Sequence, residues 1–172
     1  MKMEGELVEQ ERAYVNRETP LYGIFTSGST GTPKCVLIAH GSAMDFISHF
    51  VDTFGFTESD VIGNQAPFDF DVSIKDIVTA YFTGATLVLI PREYFSTPAR
   101  LLDYICDNHV TNLTWAVSAL CIISGLKGFS YRVPTEIKRV MFSGEVMPMK
   151  QLLIWQENLP ETRFVNLYGP SE

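Results

Sequence analysis

"FTSGSTGTPK" occupies Phe25–Lys34, directly after the short apolar run "LYGI". Five hydroxyl side chains, those of Thr26, Ser27, Ser29, Thr30 and Thr32, are interleaved with Gly28 and Gly31, and the stretch ends on Lys34. Glycines let backbone amides approach a ligand closely and form an anion-binding concavity. The hydroxyls add donors, and a lysine supplies a mobile point charge. That combination suits a multiply anionic ligand such as a chain of phosphates; the competing reading is a solvent-exposed turn. Pro33 precedes the lysine and Cys35 follows it, so the Walker A spacing fails. No G-x-S-x-G elbow occurs, which weakens a serine hydrolase.

Working outward from the loop, strand-like and helix-like stretches alternate. "LYGIFTS" and "CVLIAH" read as strands. Phe46, Ile47, Phe50, Val51 and Phe54 recur at helical spacing, with Ser42 as the expected cap. "DVIGNQAP" is a strand, and Ile74, Ile77, Val78, Tyr81 and Phe82 predict the buried face of a second helix, stopped by Gly84. "ATLVLIP" reads as a buried strand, and Thr97-Pro98 opens a helix carrying Leu101, Leu102 and Ile105. "TNLTWAV", a helix around Leu120–Leu126, "KRVMFSG", a helix from Pro148 and "RFVNLYG" complete the series. This alternation predicts an α/β fold, a mostly parallel sheet with helices on both faces. Ligands on such sheets sit beyond the carboxyl ends of the strands. Four polar stretches occupy strand ends, Thr26–Lys34, Phe68–Ser73, Ser143–Glu145 and Tyr168–Glu172, and they are expected to share one rim.

Of the 172 residues, 46% are hydrophobic and 19% charged, a globular balance. A net charge of −7 argues against nucleic acid as the main partner. Cys35, Cys106 and Cys121 fit no zinc spacing, and an unpaired set suggests a reducing interior. The charged opening "MKMEGELVEQERAYVNRETP" lacks the apolar core of a secretion signal, and no apolar run is long enough to span a bilayer. A cytoplasmic protein without membrane insertion is expected. Residues 1–20 read as a polar lead-in to a domain over 21–172. His40, His49 and His109 have no metal-spaced partner and read as structural.

"FTSGSTGTPK" resembles the phosphate loop of the adenylate-forming superfamily, which includes acyl-CoA synthetases, luciferases and peptide-synthetase adenylation domains. "FDVS" at Phe70–Ser73 resembles the acidic motif of its amino-acid-activating branch, and "NLYGPSE" at Asn166–Glu172 resembles its adenine-and-metal motif. The likeness runs from Leu21 to the end, and "SGEVMP" from Ser143 looks most like D-alanine–carrier-protein ligases. It implies the central part of a large N-terminal domain, truncated at both ends relative to the family. It also implies ATP and Mg2+, a small amino acid such as D-alanine as substrate, and an acyl or peptidyl carrier protein as acceptor.

By the same resemblance Thr26, Ser27, Gly28, Ser29, Thr30, Gly31 and Lys34 hold the phosphates. Ser143, Gly144, Glu145, Asn166, Tyr168 and Gly169 form the nucleotide edge, with Tyr168 stacked on adenine, and Glu172 ligates magnesium. Asp71 holds the substrate ammonium, although an aspartate there also serves as an ordinary helix-start or turn residue. Val72, Lys75, Thr114, Met141, Ser143 and Leu167 line the side-chain pocket, with Lys75 expected to extend its ammonium to solvent. No catalytic residue of the family is retained, since its catalytic lysine lies in a small C-terminal domain. Weak or absent turnover, and association through surfaces that truncation exposes, are therefore expected of the isolated chain. Two alternatives stand beside this: a non-catalytic nucleotide-binding piece, and an acyl-CoA ligase acting on a non-amino acid.

Overall fold

The computed structural model describes residues 14–26 and 31–169. The chain divides into two compact units, 1–54 with 170–172, and 55–169.

In the first unit, β1 (Pro20–Thr26) pairs antiparallel with β2 (Lys34–Ala39), and α1 (His40–Phe54) follows. β1 and β2 form a two-stranded sheet of their own. A parallel join needs a crossover of about a dozen residues or more, whereas residues 27–33 suffice only for a hairpin. Ser42 is not the cap, because the helix begins earlier: the N–H groups of His40 and Gly41 donate to the carbonyls of Thr19 (2.9 Å) and Arg17 (2.8 Å). The turn before β1 thus satisfies donors that a side chain was expected to satisfy. The buried stripe of α1 is Gly41, Ala43, Ile47, Phe50 and Val51. Phe46 is exposed, stacked on Phe50 at 5.6 Å between ring centroids.

The second unit is a five-stranded parallel sheet in the order β4-β3-β5-β6-β7. Its strands are β3 (Val61–Asn64), β4 (Thr86–Leu89), β5 (Asn112–Ala116), β6 (Arg139–Ser143) and β7 (Arg163–Asn166). The helices are α2 (Asp71–Thr83), α3 (Pro98–Asp107), α4 (Val117–Gly125) and α5 (Met149–Asn158). From β3 the chain steps one way through α2 to β4; from β5 it steps the other way to β6 and β7. Right-handed crossovers then set α2 on one face and α3, α4 and α5 on the other. On the latter face Leu101, Leu102, Ile105, Leu120, Ile123 and Trp155 pack with Leu113, Trp115, Val140 and Phe142. Both indoles are satisfied within it, Trp115 Nε1 donating to the Gly63 carbonyl at 2.8 Å and Trp155 Nε1 to that of Leu120 at 3.1 Å. Gly84 ends α2 in the left-handed conformation, and Pro98 sits at the start of α3, as the sequence predicts.

Two expectations fail here. The buried face of α2 is not the apolar stripe but Ser73, Asp76, Thr79 and Ala80, while Tyr81 and Phe82 are exposed. The helix is turned by one residue, about 100°, because its inward polar groups meet the polar Asn64 at the end of β3. Nor is β4 buried: it is an edge strand, with Thr86 and Leu89 exposed.

The amino edge of the sheet is organised by Asp60, just before β3 and only 1% exposed. One carboxylate oxygen accepts the Thr57 N–H at 2.9 Å. The other accepts Asn112 Nδ2 at 3.0 Å and lies 3.3 Å from Lys138 Nζ and Arg139 Nη1. Burial pushes its pKa up, but the bonds from Asn112 and Thr57, the Arg139 charge and the Lys138 bond outweigh it and hold it at about 2. A carboxylate depressed in the fold contributes stability that is present above its unfolded pKa and lost as pH falls through the folded one. Denaturant unfolding of the second unit should therefore show a stability loss of about 2 kcal/mol between about pH 4 and pH 2, and Asp60→Asn should abolish that step. Gly63→Ala should cost about 1–3 kcal/mol by overpacking, because a Cβ there would lie 2.9 Å from Val110 Cγ1 and 3.1 Å from Leu113 Cδ2.

Candidate functional site

Parallel strands put every carboxyl end on one edge of the sheet, and in the second unit Phe68–Ser73, Ser143–Glu145 and Tyr168–Gly169 lie there. The switch in winding direction falls between β3 and β5, the position where open α/β sheets bind ligands. Gln65 spans it, its Oε1 accepting the Ala116 N–H at 3.3 Å.

β6 and β7 are neighbours with Phe142 opposite Asn166, so Ser143 comes beside Leu167. The Leu167 N–H donates to the Phe142 carbonyl at 2.8 Å, which ties the strand exit to β6. Beyond it Tyr168 is 98% exposed, and Asn166 and Gly169 are exposed too. Gly144 has φ +89° with nothing within 4 Å of the position a Cβ would take. That conformation favours glycine and leaves the backbone open to a flat ring. Glu145 is exposed and Ser143 half-buried. An aromatic face, an open glycine and a glutamate thus sit at adjacent strand ends, an acceptor and stacking set that fits a purine nucleotide.

β3 leads through residues 65–70 into α2, whose first residue is Asp71, half-buried as is Val72. Alternation along paired strands puts Asn64, Thr114, Met141 and Ser143 on the face of the sheet that α2 covers. Thr114 and Met141 are buried, at 3% and 0% exposure.

Lys75 does not extend to solvent, contrary to expectation. Its side chain is 10% exposed, and Nζ lies 2.5 Å from Oδ1 of Asp76, itself 3% exposed. Asn64 Nδ2 donates to the other Asp76 oxygen at 3.1 Å. Burial of a carboxylate requires such partners, and its attraction draws the ammonium inward. Sequence reasoning missed Asp76 and Asn64. Their signal was a carboxylate five residues after Asp71, hidden because the apolar stripe of α2 was assumed to face inward.

In the first unit, Thr26 ends β1 directly opposite Lys34, which starts β2, so the two ends of the hydroxyl-rich stretch are paired. Lys34 and Gly31 are exposed, and Gly31 has φ +84°. Ser27, Gly28, Ser29, Thr30 and Glu172 lie outside the described residues. Among the described residues no group of three or more His, Cys, Asp or Glu side chains is placed to hold a metal. No described helix is long and apolar enough to cross a membrane. A cleft of about 490 Å3 opens at the opposite, amino edge, where Arg132 pairs with Asp103 and Asp107, and His109 with Glu136. Its charges are matched internally, and it is remote from the strand ends that carry the motifs.

The AMP-binding enzyme family matches residues 2–172. D-alanine--D-alanyl carrier protein ligase of Bacillus cytotoxicus is 32% identical over 170 residues, covering 98% of this chain and 33% of that protein. L-proline--[L-prolyl-carrier protein] ligase of Pseudomonas fluorescens is 31% identical over 151 residues, covering 88% and 30%. The crystal structure of IdnL1 superposes with a TM-score of 0.74 at 28% identity, covering 92% of this chain and 31% of that one. The chain therefore spans about a third of the length of the curated relatives it matches.

Removing one member of a buried ion pair takes a charged partner from the other, and here it also takes the acceptor of Asn64. Asp76→Ala should destabilise the second unit by about 3 kcal/mol or more, read by urea denaturation, and Asp76→Asn should cost less because it keeps a bond to Asn64.

Proposed function

Because the chain belongs to the AMP-binding enzyme family, we propose that it serves the activation of an amino acid as its acyl-adenylate, for transfer to a carrier-protein thiol. A carboxylate oxygen of the amino acid attacks the α-phosphorus of ATP. The new O–P bond forms as the bond to the bridging oxygen breaks, and pyrophosphate leaves. Such a reaction depends on positioning and charge neutralisation more than on covalent work by the protein. Tyr168 is assigned the adenine face, with Ser143, Gly144, Glu145, Asn166 and Gly169 around it. Asp71 is assigned the α-ammonium, because a half-buried carboxylate favours a cation and discriminates against acids lacking one. Val72, Thr114, Met141, Ser143 and Leu167 are assigned to the substrate side chain. Thr26, Gly31 and Lys34, with residues 27–30, are assigned the phosphates on residue chemistry. The resemblance adds magnesium at Glu172, for which the described residues supply no ligand set. D-alanine, named for the Bacillus relative, is the substrate that similarity alone suggests, and a carrier protein is the acceptor that both relatives' names suggest.

The observation that carries this reading is the adjacency of the Ser143–Glu145 and Asn166–Gly169 segments at the carboxyl ends of β6 and β7, with Asp71 opening a helix from the same edge. Amino-acid-dependent exchange of labelled pyrophosphate into ATP, measured on the protein at its full natural length, tests it. Exchange should appear with at least one amino acid, and Asp71→Ala should lower kcat/KM by about 100-fold, the scale of losing one charged contact. Exchange with carboxylic acids lacking an amino group, unaffected by Asp71→Ala, would favour acyl-CoA ligase chemistry instead. Lys34→Ala should weaken Mg-ATP binding in a calorimetric titration, whereas unchanged binding would remove that lysine from the phosphate site.

A further inference from the structure

We infer that Gln65 is a positioning residue for the adenylation step: bridging the gap between β3 and β5, it sets the separation between the segment that carries Asp71 and the strand ends assigned to the nucleotide. The inference rests on the assignment of Asp71 to the amino acid and of the Ser143 edge to ATP. A reaction between two bound substrates is sensitive to their separation, and a displacement of about 1 Å costs on the order of 100-fold.

The pairing of β3 with β5 is short. Its register holds Ile62 opposite Asn112 and Gly63 opposite Leu113 and goes no further, whereas β5 stays paired with β6 as far as Ala116 opposite Ser143. The two central strands thus part beyond Gly63, at the point where the winding direction switches and where such sheets bind ligands. Two side chains span the gap. Trp115 Nε1 donates to the Gly63 carbonyl at 2.8 Å, and Gln65 Oε1 accepts the Ala116 N–H at 3.3 Å. The indole tie lies in the core, with Trp115 1% exposed and edge-on to Phe95 at 5.1 Å. The glutamine tie is the one nearer the rim.

What lies on either side of that bond gives it a part in the reaction. On the β3 side the path from Gln65 to Asp71 is short and constrained. Ala66 is buried, the Phe70 N–H donates to the Pro67 carbonyl at 3.0 Å, and Ser73 bonds back to the Phe70 carbonyl through its N–H at 3.0 Å and its Oγ at 2.7 Å. Asp71 lies inside that turn, so it moves with Gln65. On the β5 side Ala116 is opposite Ser143, and Ser143 comes beside Leu167. The bond between Asp76 and Asn64 fastens α2 to β3, its own side of the gap, and leaves the spacing across the rim to Gln65.

The test is pyrophosphate exchange on the protein at its full natural length, with the amino acid that supports it best. Gln65→Leu removes the acceptor and should lower kcat by about tenfold or more. KM for the amino acid, and the Kd of Mg-ATP in a calorimetric titration, should stay within a few-fold, because each substrate keeps its own contacts and loses only its alignment with the other. Gln65→Glu keeps an acceptor oxygen at the same reach and should retain most of the rate. The donor can be removed instead: Ala116 has φ −60°, which proline adopts without strain, and its single N–H is the one given to Gln65. Ala116→Pro should reproduce the loss, and Gln65→Leu/Ala116→Pro should be no slower than the slower single variant, since both changes break one bond. An unchanged kcat in Gln65→Leu, a Gln65→Glu variant as slow as Gln65→Leu, losses that multiply in the double variant, or weakened Mg-ATP binding to match the fall in kcat would each overturn the inference while leaving amino-acid activation standing. Exchange with no amino acid at all would overturn both.

Discussion

One buried carboxylate sets the frame on which the rest of the second unit is built. Asp60 draws Asn112, Lys138 and Arg139 to itself, and these residues stand at the amino ends of β5 and β6. A parallel sheet has no tight turns to set its strand alignment, so something at the strand starts must do so. Arg139 extends the arrangement, donating from Nη2 to the Gly55 carbonyl at 2.7 Å and lying over the Phe56 ring at 4.8 Å. The strands leave this anchored edge in fixed register, and the residues at their far ends inherit that register. Ser143 lies beside Leu167 because Arg139 lies opposite Arg163 at the start of the same two strands.

The two edges of the sheet divide the work. The amino edge is dense with matched charge and holds shape; the carboxyl edge leaves Tyr168, Gly144 and Glu145 open to solvent. Between them α2 joins both roles, because its inward face is polar. Its first turn offers Asp71 near the rim, and its second is fastened to β3 through Asp76 and Asn64. A helix seated by an apolar stripe would place these acids differently by about 100°.

Much of this was legible in the sequence, and the failures share a cause. Strand runs such as "TNLTWAV" and "KRVMFSG" are largely buried on both faces and carry β-branched and aromatic residues between turn signals, so their elements and order could be read directly. Gly84 and Pro98 acted through local backbone chemistry, which needs no tertiary information. The candidate positions at strand ends followed from the same order. What was hidden depended on partners distant in sequence. The inward turn of α2 rests on a bond between residues 64 and 76, the start of α1 on carbonyls at 17 and 19, and the exposure of β4 on its place at the sheet's edge. Lys75 was misjudged because α2 turns Asp76 inward, and the ammonium follows its neighbour's carboxylate rather than reaching to solvent.

Both tryptophans, Trp115 and Trp155, lie in the core of the second unit, at 1% and 0% exposure, each packed edge-on against a phenylalanine, Phe95 or Phe129. The first unit contains none. Indole emission is consequently a private reporter of the five-stranded sheet, blue-shifted while that core stays dry. The hairpin and α1 are silent in it, so events there must be followed through tyrosine absorbance or far-ultraviolet dichroism.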